Sequence, residues 1–208
     1  AGTAILSAPG TIDLETTVGT LTATSATLTI DETNGLILSN VTVTGTATIT
    51  LTAGALTGDL TAATAILIAP AGINLDTTVD ILSAGSTTGG ITIRETDGLA
   101  LNAVNAAANP VSITLAAGAI TDADAGNTLN LTGSTLVLSA PAGIGTAADP
   151  IETATGALEA SGGTGGVYIS NTGALTLGGV GALTGVSSTA NVVVRPLPAQ
   201  EVLLVGRL

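Results

Sequence analysis

The chain has 208 residues, of which 15 are acidic and only three are Lys or Arg, so its formal net charge is −12. It contains no His, Cys, Met, Trp or Phe and a single Tyr, which excludes zinc, haem and iron–sulfur sites and catalysis by Cys or His. A basic surface and aromatic stacking platforms are missing as well, so nucleic-acid binding is excluded.

Apolar segments along the chain are numerous but short. Hydrophobic residues make up 45% of the sequence, which is enough to form a core. No apolar run approaches the ~20 residues of a membrane-spanning helix, and no basic segment followed by an apolar one opens the chain. We therefore expect no membrane insertion and see no export signal, as in a mature protein or a piece of a longer one.

Short motifs recur in the same order along the chain, which indicates a repeat protein. Each unit contains an acidic residue followed by Thr or Ala and then two apolar triplets. The acidic residues are Glu15, Asp76 and Glu152, the first triplets begin at Leu28, Ile91 and Val167, and the second begin at Leu36, Leu99 and Leu175. The equivalent residues Ile12 and Ile73 lie about 61 positions apart.

The repeats divide the chain into two regions. Residues 1–191 form a solenoid of about 2.7 units, namely a partial unit at 1–11 and then 12–72, 73–143 and 144–191. Residues 192–208 break the repeat. Extra residues enter at 86–90, 122–127 and 145–150, between the apolar triplets, and we interpret these insertions as loops on a repetitive scaffold.

Within the units, apolar and polar residues alternate with the period of a β-strand. Residues 41–52 alternate small or apolar residues with Thr throughout, and no segment has a helical pattern. Short strands leave two architectures, a β-sandwich or a β-solenoid, and the recurrence of small aliphatic residues favours the solenoid. We therefore predict an all-β solenoid of about nine to ten short coils, with about 20–24 residues in each coil and about three coils in each unit.

Several strings resemble the filamentous-haemagglutinin-type repeats of large bacterial surface proteins, which are exported by two-partner secretion or autotransport. The strings are GGITIRETDGLALNAVNA at 89–106, ITLAAGAITDADAG at 113–126, the segment 139–173, and NTGALTLGGVGALTG at 171–185. The resemblance spans residues 4–190. It implies a right-handed parallel β-helix at the bacterial cell surface or outside the cell, with a role in adhesion or fibre building, and it implies no catalytic residues. The family's amino-terminal secretion domain is missing from this sequence, so a fragment and a matured subunit both stay open.

One segment imitates a calcium-binding loop. Asp122, Asp124 and Asn127 place oxygen ligands around Gly126, but the glutamate and the flanking helices of an EF-hand are missing. Ca²⁺ is the only cofactor that the sequence suggests, and the alternative is an exposed loop without an ion. The aligned acids Glu15, Asp76 and Glu152 similarly form either a column of cation ligands or corner residues that accept backbone N–H groups.

Arg94, Glu95 and Asp97 have two interpretations. They resemble the charged groove of polysaccharide lyases, which are built on β-helices, or they form a solvated surface patch. We expect no enzymatic activity, and a carbohydrate-binding or carbohydrate-active β-helix that recognises a host or surface glycan is the alternative. Asn40 and Asn130 each begin an N-glycosylation tripeptide, and the sequence does not decide their occupancy.

The carboxy-terminal segment contains two apolar, strand-like runs that are separated by proline. The runs are Val192, Val193, Val194 and then Val202, Leu203, Leu204, Val205. Because the open end of a solenoid exposes unpaired backbone groups, this segment is a cap, a strand donated to the next subunit, or a linker. We therefore predict a non-enzymatic fibre subunit or adhesin shaft whose partner is a further copy of itself or the neighbouring repeats of a longer chain.

Overall fold

The computed structural model describes residues 2–124 and 126–197, and within these ranges the chain consists of β-strands and turns, with no helix. Accordingly, these ranges contain no helix long and apolar enough to cross a membrane. In chain order the strands are β1 (Thr3–Ser7), β2 (Thr11–Thr16), β3 (Thr20–Ser25), β4 (Thr27–Glu32), β5 (Leu36–Val43), β6 (Thr46–Leu51), β7 (Leu56–Ile68), β8 (Ile73–Gly85), β9 (Ile91–Glu95), β10 (Leu99–Asn105), β11 (Val111–Leu115), β12 (Ile120–Asp122), β13 (Leu131–Thr132), β14 (Thr135–Ser139), β15 (Ile151–Ala154), β16 (Ala157–Ser161), β17 (Val167–Asn171), β18 (Thr176–Leu177), β19 (Val186–Ser187) and β20 (Val192–Pro196).

All of these strand pairs are parallel, and they form two ladders along a solenoid of about nine turns. Ladder one contains β1, β3, β5, the first halves of β7 and β8, then β9, β11, β14, β16, β18 and β19. Ladder two contains β2, β4, β6, the second halves of β7 and β8, then β10, β12, β13, β15, β17 and β20. The predicted all-β solenoid is confirmed, and the sandwich alternative is excluded.

Aliphatic side chains of successive coils stack into one continuous core. Ile73, Ile91, Val111, Leu136 and Leu158 occupy successive positions of ladder one, and none is more than 2% exposed. Burial of each such side chain contributes about 1.5–3 kcal/mol before the cost of ordering the chain is subtracted. The core therefore needs no aromatic residue, because each coil is packed against side chains of similar size above and below it.

The coils in the first half of the chain are shorter than predicted. Ile12 lies beside Leu28, Leu28 beside Ala47, and Ala47 beside Ala65, so these coils take 16, 19 and 18 residues. The prediction of 20–24 residues per coil is wrong here, because each coil consists of two strand segments joined by tight corners.

The repeat unit does not contain a whole number of coils. Three coils lead from Ile12 to Ala65 in ladder two, and a further half coil leads to Ile73, which lies in ladder one. A unit therefore holds three and a half coils rather than the predicted three. Equivalent residues of successive units consequently lie in opposite ladders.

This half-coil offset separates the three aligned acids. Glu15 and Glu152 belong to ladder two, whereas Asp76 belongs to ladder one. Glu15 and Asp76 are exposed, while Glu152 is completely buried. The hypothesis of a column of cation ligands formed by these three residues is therefore wrong.

Ladder two is interrupted in two successive coils. The strand β10 is continuous, but the next coil forms β12 and β13 with the loop 123–130 between them. In the coil after that, Ile144 pairs with Ile120 as an isolated bridge, and the loop 145–150 follows before β15 begins. The predicted insertions at 122–127 and 145–150 thus lie in loops, and the two loops lie next to each other on the same side of the solenoid.

Candidate functional site

Four carboxylates meet where the two loops interrupt ladder two. Asp122 and Asp124 come from the first loop region, and Asp149 and Glu152 come from the second. The charges of the three aspartates all act on the Glu152 carboxyl group. We call these four residues the acidic cluster.

Asn130 joins the two coils that form the acidic cluster. Its backbone N–H donates to the Glu152 carbonyl at 3.0 Å, and its Oδ1 accepts the backbone N–H of Glu152 at 2.9 Å. Its Nδ2 donates to Oδ1 of Asp122 at 2.6 Å and to the Leu101 carbonyl at 3.2 Å. Because Asn130 is completely buried, these bonds fix Asp122 and Glu152 relative to each other.

The loop carboxylates use some oxygens for local structure and leave others free. Oδ1 of Asp122 accepts the backbone N–H of Asp124 at 2.9 Å, and Oδ2 of Asp124 accepts the Thr128 hydroxyl at 2.8 Å. The second oxygens, Oδ2 of Asp122 and Oδ1 of Asp124, are buried and have no hydrogen-bond partner among the described residues. Each aspartate therefore retains one oxygen that is able to accept a ligand.

Glu152 is the buried member of the cluster. Its side chain is 0% exposed, and neither carboxylate oxygen has a partner in the described ranges. Burial raises the pKa of Glu152 to about 7, and the negative charges of Asp122 and Asp149 raise it further. Burial also raises the pKa of Asp122, and the charge of Asp124 adds to this effect.

Other buried carboxylates of the chain are satisfied by backbone groups. Oε1 and Oε2 of Glu159 accept the N–H groups of Val180 and Gly181, both at 2.9 Å. Oε1 of Glu95 accepts the N–H of the following Thr at 2.8 Å, and its Oε2 accepts the Val79 N–H of the preceding coil at 3.1 Å. These residues stabilise corners of the solenoid, and Glu152 differs from them because it accepts nothing.

The geometry around Arg94 does not form the predicted groove or the predicted solvated patch. Glu95 points into the solenoid and is 2% exposed, so it is unable to line an external surface. Arg94 Nε donates to Asp76 of the preceding coil, and its Nη1 donates to Oδ1 of Asn74 at 2.8 Å. Arg94 therefore forms an exposed ion pair between coils, an interaction that contributes about 0–1 kcal/mol.

The structure unites two of the three residues predicted as metal ligands with others that the sequence analysis missed. Asp122 and Asp124 belong to the acidic cluster, whereas Asn127 is exposed and lines a neighbouring cleft with Asp149 and Arg195. The contribution of Asp149 and Glu152 was missed, although the two insertions lie about one coil apart in sequence. Across the described ranges, no three His, Cys, Asp or Glu side chains already stand in an arrangement that would hold a metal ion.

The two glycosylation tripeptides differ in accessibility. Asn130 is completely buried, so its amide nitrogen is inaccessible in the folded chain. Asn40 is exposed and adopts a left-handed backbone conformation with φ of 61°. Only Asn40 is therefore presented to an external enzyme.

Part of the predicted assembly segment continues ladder two. Val192, Val193 and Val194 lie in β20 and pair in parallel with Val167–Ile169 of β17. Val192 is 45% and Val193 is 38% exposed, while Val194 packs partly against the core. The remaining predicted assembly residues, Val202, Leu203, Leu204 and Val205, lie outside the described residues.

Comparisons of the chain with protein-family models, with curated proteins and with solved structures find no match. What the chain does is therefore inferred from its own residues. The two features that bear on function are the continuous parallel core and the acidic cluster.

Proposed function

We propose that the chain is a non-enzymatic structural segment, a fibre subunit or adhesin shaft at the bacterial cell surface. The observation that carries the proposal is the unbroken parallel ladder, which joins twenty strands into one rod-shaped core. Each coil contacts only its neighbours, so length is gained by adding coils without a change of fold. Such a rod transmits force and spaces other groups.

The first coil leaves a surface that fits another coil. In the described residues, β1 pairs only with β3 and β2 pairs only with β4, so the outer edges of both strands are unpaired. Leu6 and Ile12 are only partly buried there, and Ile5 is 78% exposed. Unpaired parallel edges beside apolar side chains accept a further strand, either from a longer chain or from a second copy.

The opposite end has the complementary character. The outer edge of β20 follows the described part of ladder two, and Val192 exposes apolar surface in line with the core residue Val167. Contact between the two ends produces a head-to-tail arrangement, which propagates as a filament when it does not close. The formal charge of −12 keeps the sides of such rods apart in solution.

Negative-stain electron microscopy of the purified chain over a range of concentrations tests this proposal. Nine coil steps at ~4.8 Å predict rods of about 45 Å that join end to end as the concentration rises. The Val192→Lys variant places a charge in the apolar end surface and is expected to prevent joining. Ile66→Lys, which alters an exposed Ile on the side of the rod, serves as the matched control.

Rods that stay single at all concentrations would favour a shaft over a fibre subunit. Compact particles without an elongated outline would overturn both forms of the proposal. Joining that is lost in Ile66→Lys and retained in Val192→Lys would reject the head-to-tail arrangement in favour of lateral association.

A further inference from the structure

We infer that the acidic cluster is a binding site for a hard divalent cation, Ca²⁺, held between the two interrupted coils of ladder two. The ligands are the carboxylate of Glu152, Oδ2 of Asp122 and Oδ1 of Asp124. These are the oxygens that the fold buries without giving them a hydrogen-bond partner in the described ranges.

Glu152 supplies the main argument for a ligand. A buried carboxylate without a hydrogen-bond donor is costly, and proteins normally pair such a group or use it to coordinate a metal. The chain follows this rule elsewhere, because Glu95 and Glu159 each receive backbone N–H groups on both oxygens. At Glu152 the backbone N–H groups nearby are used otherwise, since its own N–H donates to Asn130.

No basic side chain of the described residues fulfils this role. Arg195 lines the cleft that contains Asp149 and Asn127, but it forms no ion pair, and the single ion pair in the described ranges joins Arg94 to Asp76. The surroundings of Glu152 are negative instead, because they consist of three aspartates. A cation from solution is the partner that this arrangement lacks.

The donor set selects the type of cation. All of the free donors are oxygens, and the chain has no His or Cys, so soft metals and zinc are disfavoured. Ca²⁺ accepts six to eight oxygen ligands in irregular geometry, whereas Mg²⁺ demands a near-ideal octahedron. Ligands from two loops on different coils satisfy the first requirement more readily than the second.

The cluster is not preassembled around one point, as the absence of a ready group of three ligands in the described ranges shows. Four like charges repel one another, and a cation removes that repulsion. Binding therefore draws the loop 123–130 towards β15, and water completes the coordination. Because this closure opposes binding, we expect a dissociation constant on the order of 10⁻⁴–10⁻³ M.

Isothermal titration calorimetry of the chelator-treated chain with CaCl₂, in about 0.1 M KCl to screen diffuse binding, tests the inference. We expect one saturable site in the parent chain. Glu152→Gln and Asp122→Asn should each weaken Ca²⁺ binding by about tenfold or more. Asp13→Asn removes the same charge from an exposed strand position and should bind Ca²⁺ like the parent chain.

Circular dichroism establishes that each variant is folded, and the two site variants provide independent tests if one of them misfolds. No saturable heat up to about 10 mM CaCl₂ would reject the site. Equal affinity in the parent chain and both folded site variants would show that the binding is diffuse, and MgCl₂ binding as tightly as CaCl₂ would reject the assignment of Ca²⁺. None of these results depends on whether the chain forms rods.

Discussion

Asn130 and Glu152 exchange two hydrogen bonds across one coil step, with the Asn130 N–H donating to the Glu152 carbonyl at 3.0 Å and the Glu152 N–H donating to Asn130 Oδ1 at 2.9 Å. The exchange lies where ladder two would otherwise be broken by the loop 123–130. A side-chain amide here replaces a backbone carbonyl, so the two coils remain joined below the loops. The same amide holds Asp122 in the acidic cluster through Nδ2.

Replacement of Asn130 by Ala should therefore be among the more destabilising single changes in the chain. It leaves the Glu152 N–H without an acceptor and the Leu101 carbonyl without a donor, and we expect the free energy of unfolding to fall by about 2–4 kcal/mol. Urea unfolding measures this value. Asn102→Ala removes an exposed amide that contacts Ser83 and should change stability by less than about 0.5 kcal/mol. Equal effects of the two substitutions would contradict the structural role of Asn130.

The stability of the cation-free chain should decrease as the pH rises through the range of Glu152. Its pKa is about 7 in the folded chain against an ordinary value of 4.5, so the folded state binds the proton more tightly than the unfolded state. The resulting penalty is absent below about pH 4.5 and complete above about pH 7, where it amounts to about 3 kcal/mol. The groups that face Glu152 and contribute to this shift are Asp122, Asp124 and Asp149.

Glu152→Gln removes this titration and provides the measurement. In the presence of a chelator, the variant should be more stable than the parent chain at pH 8 and similar to it at pH 4.5. Urea unfolding at the two pH values gives the difference, and Asp13→Asn is the control for the loss of one charge. A variant whose advantage is the same at both pH values would show that Glu152 does not titrate in this range.

The sequence predicted the class of fold because the signal for it is local. Alternation with period two, as in residues 41–52, specifies strands wherever it occurs. The insertions at 122–127 and 145–150 were also visible as interruptions of the repeat. Both features depend on neighbouring residues in the sequence, and both were predicted correctly.

The placement of the aligned acids was predicted incorrectly because it depends on how the coils stack. Each half coil carries the same strand-and-corner pattern, so an alignment is unable to distinguish a shift of three coils from a shift of three and a half. Glu15 and Asp76 therefore appeared to share a side of the solenoid although they lie in different ladders. For the same reason the sequence revealed Asp122 but not its proximity to Glu152, since that depends on the pairing of Leu131 with Thr153.

Glu95 should stabilise the corner between two coils rather than take part in surface chemistry. Glu95→Ala removes the acceptor of the Val79 N–H, which is buried, and we expect a loss of about 1–3 kcal/mol in the free energy of unfolding. Glu95→Gln retains one acceptor oxygen and should lose less. Asp97→Ala alters an exposed neighbour and should leave stability unchanged within about 0.5 kcal/mol. A loss in Asp97→Ala that matches that of Glu95→Ala would show that the corner does not depend on Glu95.

The pairing of β7 with β8 predicts which deletions the solenoid tolerates. Every residue pair between these strands, from Leu56 beside Ile73 to Ile68 beside Gly85, is offset by 17 positions, so both ladders keep one period through this coil. Deletion of residues 56–72 removes one complete coil and places Ile73 where Leu56 lay beside Leu36. We expect a folded rod that is one turn shorter, because core side chains still meet core side chains.

Deletion of residues 56–68 begins at the same position but removes 13 residues, which do not form a complete coil. It shifts the inward residues of β8 away from those of β5 and should abolish cooperative unfolding or lower stability far more than the 17-residue deletion. Circular dichroism and urea unfolding compare the two variants. If both deletions behave alike, stacking of equivalent positions is not what determines the fold, since only the longer deletion preserves it.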